Sequence, residues 1–292
     1  MSTVRVGAII AVMVLLGSIA NAQRPAALAQ IYISNEWAES LQQLNFSTGK
    51  LTTLYNIGNK PDDITLSSTG ELIYSVPSPG TVYMYNPTNG TNTVLASNIP
   101  TVHDLTLEPG GQTLLISKTN SPAELYRYSF ATNTATVFFP KTKGITSLSG
   151  TAYDTYGNLY AVSNKNTIIQ INPATAAIIN TLTIESQSGT GADGMCYDSY
   201  TNSIWVTVSG KVLGYGLVQV PVKASGFVST NPGFTFYSLP SSAPDGVKSD
   251  GKGNLYIGAI HTAMVYNIPT HAMTENVVTK GADGVALVPG TY

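Results

Sequence analysis

The chain has 292 residues and a formal net charge of -2 at pH 7, with only 10% of its residues charged, against the roughly 25% usual for soluble domains. That balance provides no basic stripe for a nucleic-acid partner. The one cysteine, Cys196, excludes an intrachain disulfide, and its place inside an apolar strand suits a small buried hydrophobe.

Met1 to Ala22 carries one basic residue, Arg5, then the apolar run Gly7 to Gly17, then Ala20-Asn21-Ala22. This pattern predicts a signal peptide over residues 1–22, with an apolar run too short to span a bilayer. The expected product is one domain over 23–292, secreted or held in the secretory lumen, with no membrane span. Two sequons, at Asn45 and Asn89, are candidate glycosylation sites on that route.

From Gln30 onward the chain reads as short strands rich in β-branched and aromatic residues, separated by turns. Gln30 to Ser34, Ser40 to Asn45 and Leu51 to Tyr55 come first. Ile73 to Val76, Thr81 to Tyr85 and Thr93 to Ala96 follow, with a Pro87-Thr88-Asn89-Gly90 turn before the last of these. Leu159 to Val162, Thr167 to Ile171 and Ile178 to Ile184 repeat the pattern, and Gly191 to Val208 reads as a β-hairpin.

One phrase recurs: PDDITLSSTGELIYSV from Pro61, VHDLTLEPGGQTLLIS from Val102, LSGTAYDTYGNLYAVS from Leu148, GADGMCYDSYTNSIWVTV from Gly191 and PDGVKSDGKGNLYIGA from Pro244. A half-copy, ADGVALVPGTY, follows from Ala282. The copies lie roughly 38 to 52 residues apart, the period of propeller blades rather than helical repeats. With four strands per unit, the expected fold is an all-β, six-bladed β-propeller. The last half-copy supplies one strand and the start of the mature chain supplies the rest of that blade, so the ring closes between the termini and hides two edges.

The residue before each apolar pair forms a column: Asp62, His103, Ser149, Asp193, Asp245, Asp283. The first strand of each blade lines the central channel, so the column is expected at one mouth, a concave place for a ligand. His103, Asp193, Asp245 and Asp283 are the candidate catalytic residues. Asp62 and Ser149, with Asn35, Trp37, Asn164 and His261 from loops predicted at the same mouth, are the candidate substrate contacts. A structural role stands beside this one, since Asp before Gly in a turn hydrogen-bonds nearby amides. The tyrosines, such as Tyr32, Tyr74, Tyr160 and Tyr256, read as core between blades.

Ala192 to Val206, ADGMCYDSYTNSIWV, resembles the PDGMCxD phrase of the senescence-marker protein and gluconolactonase family of six-bladed propellers. That resemblance implies a lactone or phosphoester hydrolase holding one divalent cation through a Glu, an Asn and an Asp. Asp193 matches the metal-binding Asp, Ser149 stands where the Asn belongs, and Asp283 stands where the Glu belongs. An oxygen-rich set could still hold calcium, so a calcium or zinc lactonase or esterase is the alternative expectation.

The layout as a whole, with signal peptide, sequons, six blades, one unpaired cysteine and a terminal half-blade, resembles the secreted fungal propellers that act as hetero-Diels-Alderases in meroterpenoid biosynthesis. That resemblance implies a cofactor-free cycloaddition joining a polyketide-derived quinone methide to a terpene. Such a reaction needs no nucleophile and no metal; it needs apolar partners held face to face and a donor aimed at the heterodiene oxygen. His103 is the expected donor and Trp37 the expected apolar wall. No G-x-S-x-G, H-E-x-x-H or phosphate-cradling glycine loop is present, and three scattered histidines do not make a zinc set. The expected ligand is therefore a small, largely apolar organic molecule. A non-catalytic secreted propeller that binds a ligand on one face is the third expectation.

Overall fold

The computed structural model describes residues 27–120, 123–164, 166–184, 190–210, 214–228, 233–239, 243–278 and 281–289. The predicted signal peptide, residues 1–22, lies outside them.

Alternation of apolar and polar residues, broken by turn residues, gives 25 strands and no helix among the described residues. They form six antiparallel sheets arranged as the blades of a propeller. The first blade joins β25 (Val285–Leu287) to β1 (Gln30–Asn35), β2 (Ser40–Asn45) and β3 (Lys50–Asn56). The second holds β4 (Ile64–Leu66), β5 (Leu72–Val76), β6 (Thr81–Tyr85) and β7 (Asn92–Ala96), and the third β8 (Val102–Leu107), β9 (Thr113–Lys118), β10 (Glu124–Ser129) and β11 (Thr134–Phe139). The fourth holds β12 (Leu148–Tyr153), β13 (Leu159–Ser163), β14 (Thr167–Ile171) and β15 (Ile178–Thr183). In the fifth, β16 (Thr190–Asp198), β17 (Ser203–Gly210) and β18 (Gly214–Lys223) pair in order. There β18 also pairs with β19 (Gly226–Phe227) and β20 (Thr235–Ser238). The sixth holds β21 (Pro244–Ser249), β22 (Asn254–Ala259), β23 (Thr262–Asn267) and β24 (Ala272–Val277).

The ring closes as the sequence predicts. Ile31, Tyr32 and Ile33 of β1 pair with Leu287, Ala286 and Val285 of β25. Both ends of the domain are thereby paired rather than left as open edges.

Each pair of neighbouring blades buries its own apolar cluster. Leu41 and Ala286 of the first blade pack against Ile64, Leu72 and Tyr74 of the second, and Trp205 and Leu217 of the fifth pack against Leu255, Ile257 and Met264 of the sixth. Tyr74, Tyr160 and Tyr256 are fully buried in these layers. Cys196 is buried as well, and burial pushes its thiol pKa upward. The sequons sit in hairpin turns, where Asn45 accepts from Ser47 Oγ at 2.7 Å and Asn89 accepts from Thr91 Oγ1 at 2.7 Å.

The turn aspartates after the first strands have a structural role. Asp154 accepts from the Tyr156 and Asn158 amides, both at 2.9 Å, and from the Tyr160 hydroxyl at 2.9 Å. Asp250 accepts from the Lys252 and Asn254 amides at 2.8 and 3.1 Å. These Asx turns fix the far ends of the channel strands.

Candidate functional site

Four members of the column lie at a β-bulge. In β8, β12, β16 and β21 the register against the second strand slips by one residue, between Val102 and Leu105, Leu148 and Thr151, Ala192 and Met195, and Pro244 and Val247. An extra residue at such a point re-aims the side chains on either side of it. Two consecutive residues in each of these four blades therefore face the channel end: the column residue and its successor.

The successors, Asp63, Asp104, Gly150, Gly194, Gly246 and Gly284, hold the blades together. Gly246 approaches the sixth-to-first blade junction so closely that an added Cβ would lie 2.6 Å from the Asp283 carbonyl oxygen, and Gly150 and Gly194 are as tightly placed against Asp193 and Asp245. Where the successor is an aspartate, its side chain crosses to the next blade. Leu105 N–H donates to Asp63 Oδ2 at 2.9 Å, and Thr151 donates to Asp104 Oδ2 from N–H at 2.9 Å and from Oγ1 at 2.8 Å.

Hydroxyls on the second strands complete the linkage. Ser75 Oγ accepts from Asp63 N–H at 3.0 Å and donates to the His103 carbonyl at 2.7 Å. Thr207 Oγ1 accepts from Gly194 N–H at 2.8 Å and donates to the Asp245 carbonyl at 2.5 Å. Ser34 does the same between Gly284 N–H and the Asp62 carbonyl. With the blades tied through main chain, hydroxyls and successors, the column side chains are left to face the mouth.

Asp62, His103, Asp245 and Asp283 line a cavity of about 460 Å³, together with Glu36, Glu39, Asn59, Lys60, Pro77 and Ser78. His103 Nε2 lies 3.6 Å from Asp62 Oδ1 and 3.5 Å from Asp193 Oδ1, while its buried Nδ1 has no hydrogen-bond partner among the described residues. Beneath the column the channel narrows to about 10 Å³ between the column and its successors, room for no more than about one water.

Burying so many carboxylates together reshapes their titration. Burial pushes Asp62 up to about 6, with His103 opposing the rise and Asp193 adding to it. Burial likewise lifts Asp283 to about 8, reinforced by Asp62 and Glu36, and holds Asp245 well above its ordinary value, reinforced by Asp193, Asp62 and Asp283. For His103, burial acts downward, but the carboxylates of Asp62, Asp193 and Asp245 outweigh it and raise the imidazolium to about 10. At neutral pH the mouth therefore holds an imidazolium and a neutral Asp283 as donors, beside an Asp62 that is mostly ionised.

The other expected contacts are spread around the rim. Trp37 is 58% exposed, with Lys60 Nζ 5.0 Å from its ring centroid. His261 is exposed in the β22–β23 loop. Asn35 is buried and holds its own loop, donating to Gln42 Oε1 at 3.0 Å and accepting from Ala38 N–H at 2.8 Å. Asn164, at φ 53°, accepts from Thr146 N–H at 2.8 Å and donates to the Gly144 carbonyl at 2.7 Å. Ser149 is buried at its bulge. His271 lies away from the mouth, in an outer turn beside Tyr266 and Tyr237.

The donor set does not fit the divalent cation that the hydrolase resemblance implies. Among the described residues no three His, Cys, Asp or Glu side chains are placed to hold a metal ion, Asp193 is turned onto His103, and a buried serine replaces the expected asparagine.

No protein-family model matches the sequence, and no curated protein matches it. Solved structures do resemble the fold. A chain of a nidogen–laminin complex superposes with a TM-score of 0.73 at 12% identity, covering 91% of this chain and 100% of that one. Virginiamycin B lyase from Staphylococcus aureus gives 0.61 at 16% identity, covering 87% of this chain and 83% of the lyase. A streptogramin B lyase gives 0.56 at 16% identity, covering 75% and 69%. At such identities the likeness shows the propeller fold, on which many unrelated functions are built.

Proposed function

We propose that the protein is an enzyme that acts on a small organic molecule in the column-side mouth, without a cofactor, by donating hydrogen bonds to an oxygen of that molecule. The observation that carries this reading is the cavity of about 460 Å³ in which Asp62, His103, Asp245 and Asp283 converge, with His103 Nε2 held 3.6 and 3.5 Å from Asp62 and Asp193. Asp283, raised to about 8, and His103, raised to about 10, are both donors at neutral pH in a half-buried cavity, and donors fixed before reaction stabilise charge as it develops.

The reaction we assign is a hetero-Diels–Alder cycloaddition between a quinone methide and a terpene alkene. The heterodiene oxygen accepts from Asp283 or His103, which lowers the energy of its developing negative charge. One C–C and one C–O bond form as two π bonds are lost, and no proton leaves either partner. The cavity supplies orientation. Trp37 at the rim offers an apolar surface to the terpene. A secretory location belongs to the same reading, supported by the leader-like Met1 to Ala22 and the two sequons.

A second reading, carbon–oxygen bond cleavage of the elimination or lactone-opening type, is favoured by one observation. Asp62 at about 6 and Asp283 at about 8 form a base and an acid whose pKa values are pushed apart, the pattern of acid–base pairs. Two lyases resemble the fold. The test is to incubate the protein with an o-quinone methide generated in place and humulene, and separately with macrocyclic lactones. A single stereoisomer of adduct, lost in His103→Gln, supports the cycloaddition. Adducts in the uncatalysed ratio together with lactone turnover replace it with the second reading, and tight binding without turnover of either replaces both with a binding protein.

A further inference from the structure

A larger cavity, about 660 Å³, opens at the opposite end of the channel. It is framed by the far ends of the same first strands, and the constriction beneath the column separates it from the mouth described above. Leu66, Leu105, Leu107, Ala152, Met195 and Leu287 supply an apolar wall. At the rim, the turns that follow β12 and β16 leave Tyr156 and Tyr200 52% and 54% exposed. A cavity of this size with an apolar wall and few polar groups is the usual form of a small-molecule site.

Four polar groups of this wall are engaged within the protein. Tyr153 donates to Glu108, Ser249 Oγ donates to Asp198 at 2.6 Å, Thr106 Oγ1 donates to the Thr151 carbonyl at 2.9 Å, and Asp154 holds its turn. Lys248 differs. Its ammonium lies 3.7 Å from Asp63 Oδ2 with the side chain 19% exposed, which leaves donors for a ligand in the cavity. Asp63 and Asp104 both face it, so the floor carries no surplus positive charge to attract an anion.

We propose that this cavity is a second binding site, for an uncharged, mostly apolar small molecule with one acceptor oxygen, which Lys248 hydrogen-bonds at the cavity floor. The site is independent of the chemistry assigned to the column, and its test reads binding rather than turnover.

The probes are 6-propionyl-2-dimethylaminonaphthalene, a neutral ketone; anthracene, which has no acceptor; and 8-anilinonaphthalene-1-sulfonate, an anion. Fluorescence titration of the full chain is expected to give one bound ketone with blue-shifted emission, and weaker binding of the sulfonate. Leu107→Trp, which fills the cavity from its wall, lowers the affinity for both neutral probes by about tenfold or more. Lys248→Met lowers the ketone affinity by about tenfold and leaves anthracene unchanged. Asp283→Asn, at the other mouth, alters neither titration. No binding, tighter binding of the sulfonate, an unchanged affinity in Leu107→Trp, or an equal loss of both neutral probes in Lys248→Met would each overturn the proposal. Thermal melting identifies a Lys248→Met protein that fails to fold. In that event the Leu107→Trp titration and the ketone-to-anthracene ratio of the native protein decide.

Discussion

His103 Nε2 lies 3.5 Å from Asp193 Oδ1, although a whole blade, the one carrying Ser149, separates the two residues around the ring. The contact is possible because the bulges in β8 and β16 turn their column residues inward while the successors turn to the neighbouring blade. Adjacent residues in sequence thus have opposite tasks, one facing the mouth and one holding the ring.

That division predicts opposite results for two aspartate-to-asparagine changes. Asp104 Oδ2 accepts from Thr151 N–H and Oγ1, so Asp104→Asn weakens two buried hydrogen bonds and is expected to destabilise the fold by about 2 kcal/mol. Asp62 is raised by burial and ties no amide of the neighbouring blade, so Asp62→Asn relieves a buried charge and is expected to leave stability at pH 7 unchanged or higher. Urea denaturation of the two variants checks this. Equal losses would show that the column is structural.

Gly194 makes the same point without charge. A Cβ added there meets the Asp245 carbonyl oxygen and, at 2.9 Å, the Gly246 Cα, both main-chain atoms of the next blade that cannot swing aside. Gly194→Ala is expected to cost about 3 kcal/mol through overpacking. Gly157→Ala, where nothing lies within 4 Å but φ is 85°, should cost about 1 kcal/mol through backbone strain alone. Thermal unfolding of the pair separates the two causes.

How far the sequence reveals this molecule follows from what repeats. Blade number, strand positions and ring closure were legible because each hairpin carries its own alternation and turn, and the half-copy after Ala282 needs a partner. The column was legible as a position. Its division of labour was not, because a bulge leaves no mark on any one residue; the signal was the pair, a polar residue followed by Asp or Gly inside an apolar strand. Asn35 and Asn164 read as rim contacts, yet the side-chain amide of Asn35 is engaged by its own loop and that of Asn164 by the segment leading into β12. Lys248 was missed for a different reason: one lysine in a strand looks like a solvated face until the ring brings Asp63 beside it.

The charge pattern sets how stability varies with pH. Asp62, Asp63 and Asp283 have folded-state pKa values raised to about 6, 7 and 8, burial being the largest cause in each, and His103 is raised to about 10. A raised value means that the folded chain holds the proton more tightly than the unfolded chain. The aspartates' contribution is full near pH 4 and is lost as pH rises through 6 to 8; that of His103 is full below about 6.5 and is lost as pH rises through 10. Folding stability is therefore expected to fall from about pH 4 to pH 10, with a slope of about 3 kcal/mol per pH unit near neutrality. Asp283→Asn should flatten the portion below pH 8 and His103→Gln the portion above it. A stability maximum at pH 8 or higher would contradict the assignment.

The same protons govern the proposed catalysis. If a neutral Asp283 donates to the substrate oxygen, kcat/KM falls as pH rises through about 8, with a second fall as His103 loses its proton near 10. Asp283→Ala removes the first donor and is expected to lower kcat/KM by about a hundredfold, near the effect of deleting one donor from an oxyanion site. Asp283→Asn keeps an N–H donor that does not ionise, so it should retain more activity than the alanine variant and lose the limb near pH 8 while keeping the one near 10. Stability and rate then part company: asparagine raises stability above pH 5 by removing a buried acid, yet lowers the rate. A pH–rate profile of the asparagine variant that still bends near 8 would assign that limb to another residue of the mouth, with Asp245 as the remaining acid raised by burial.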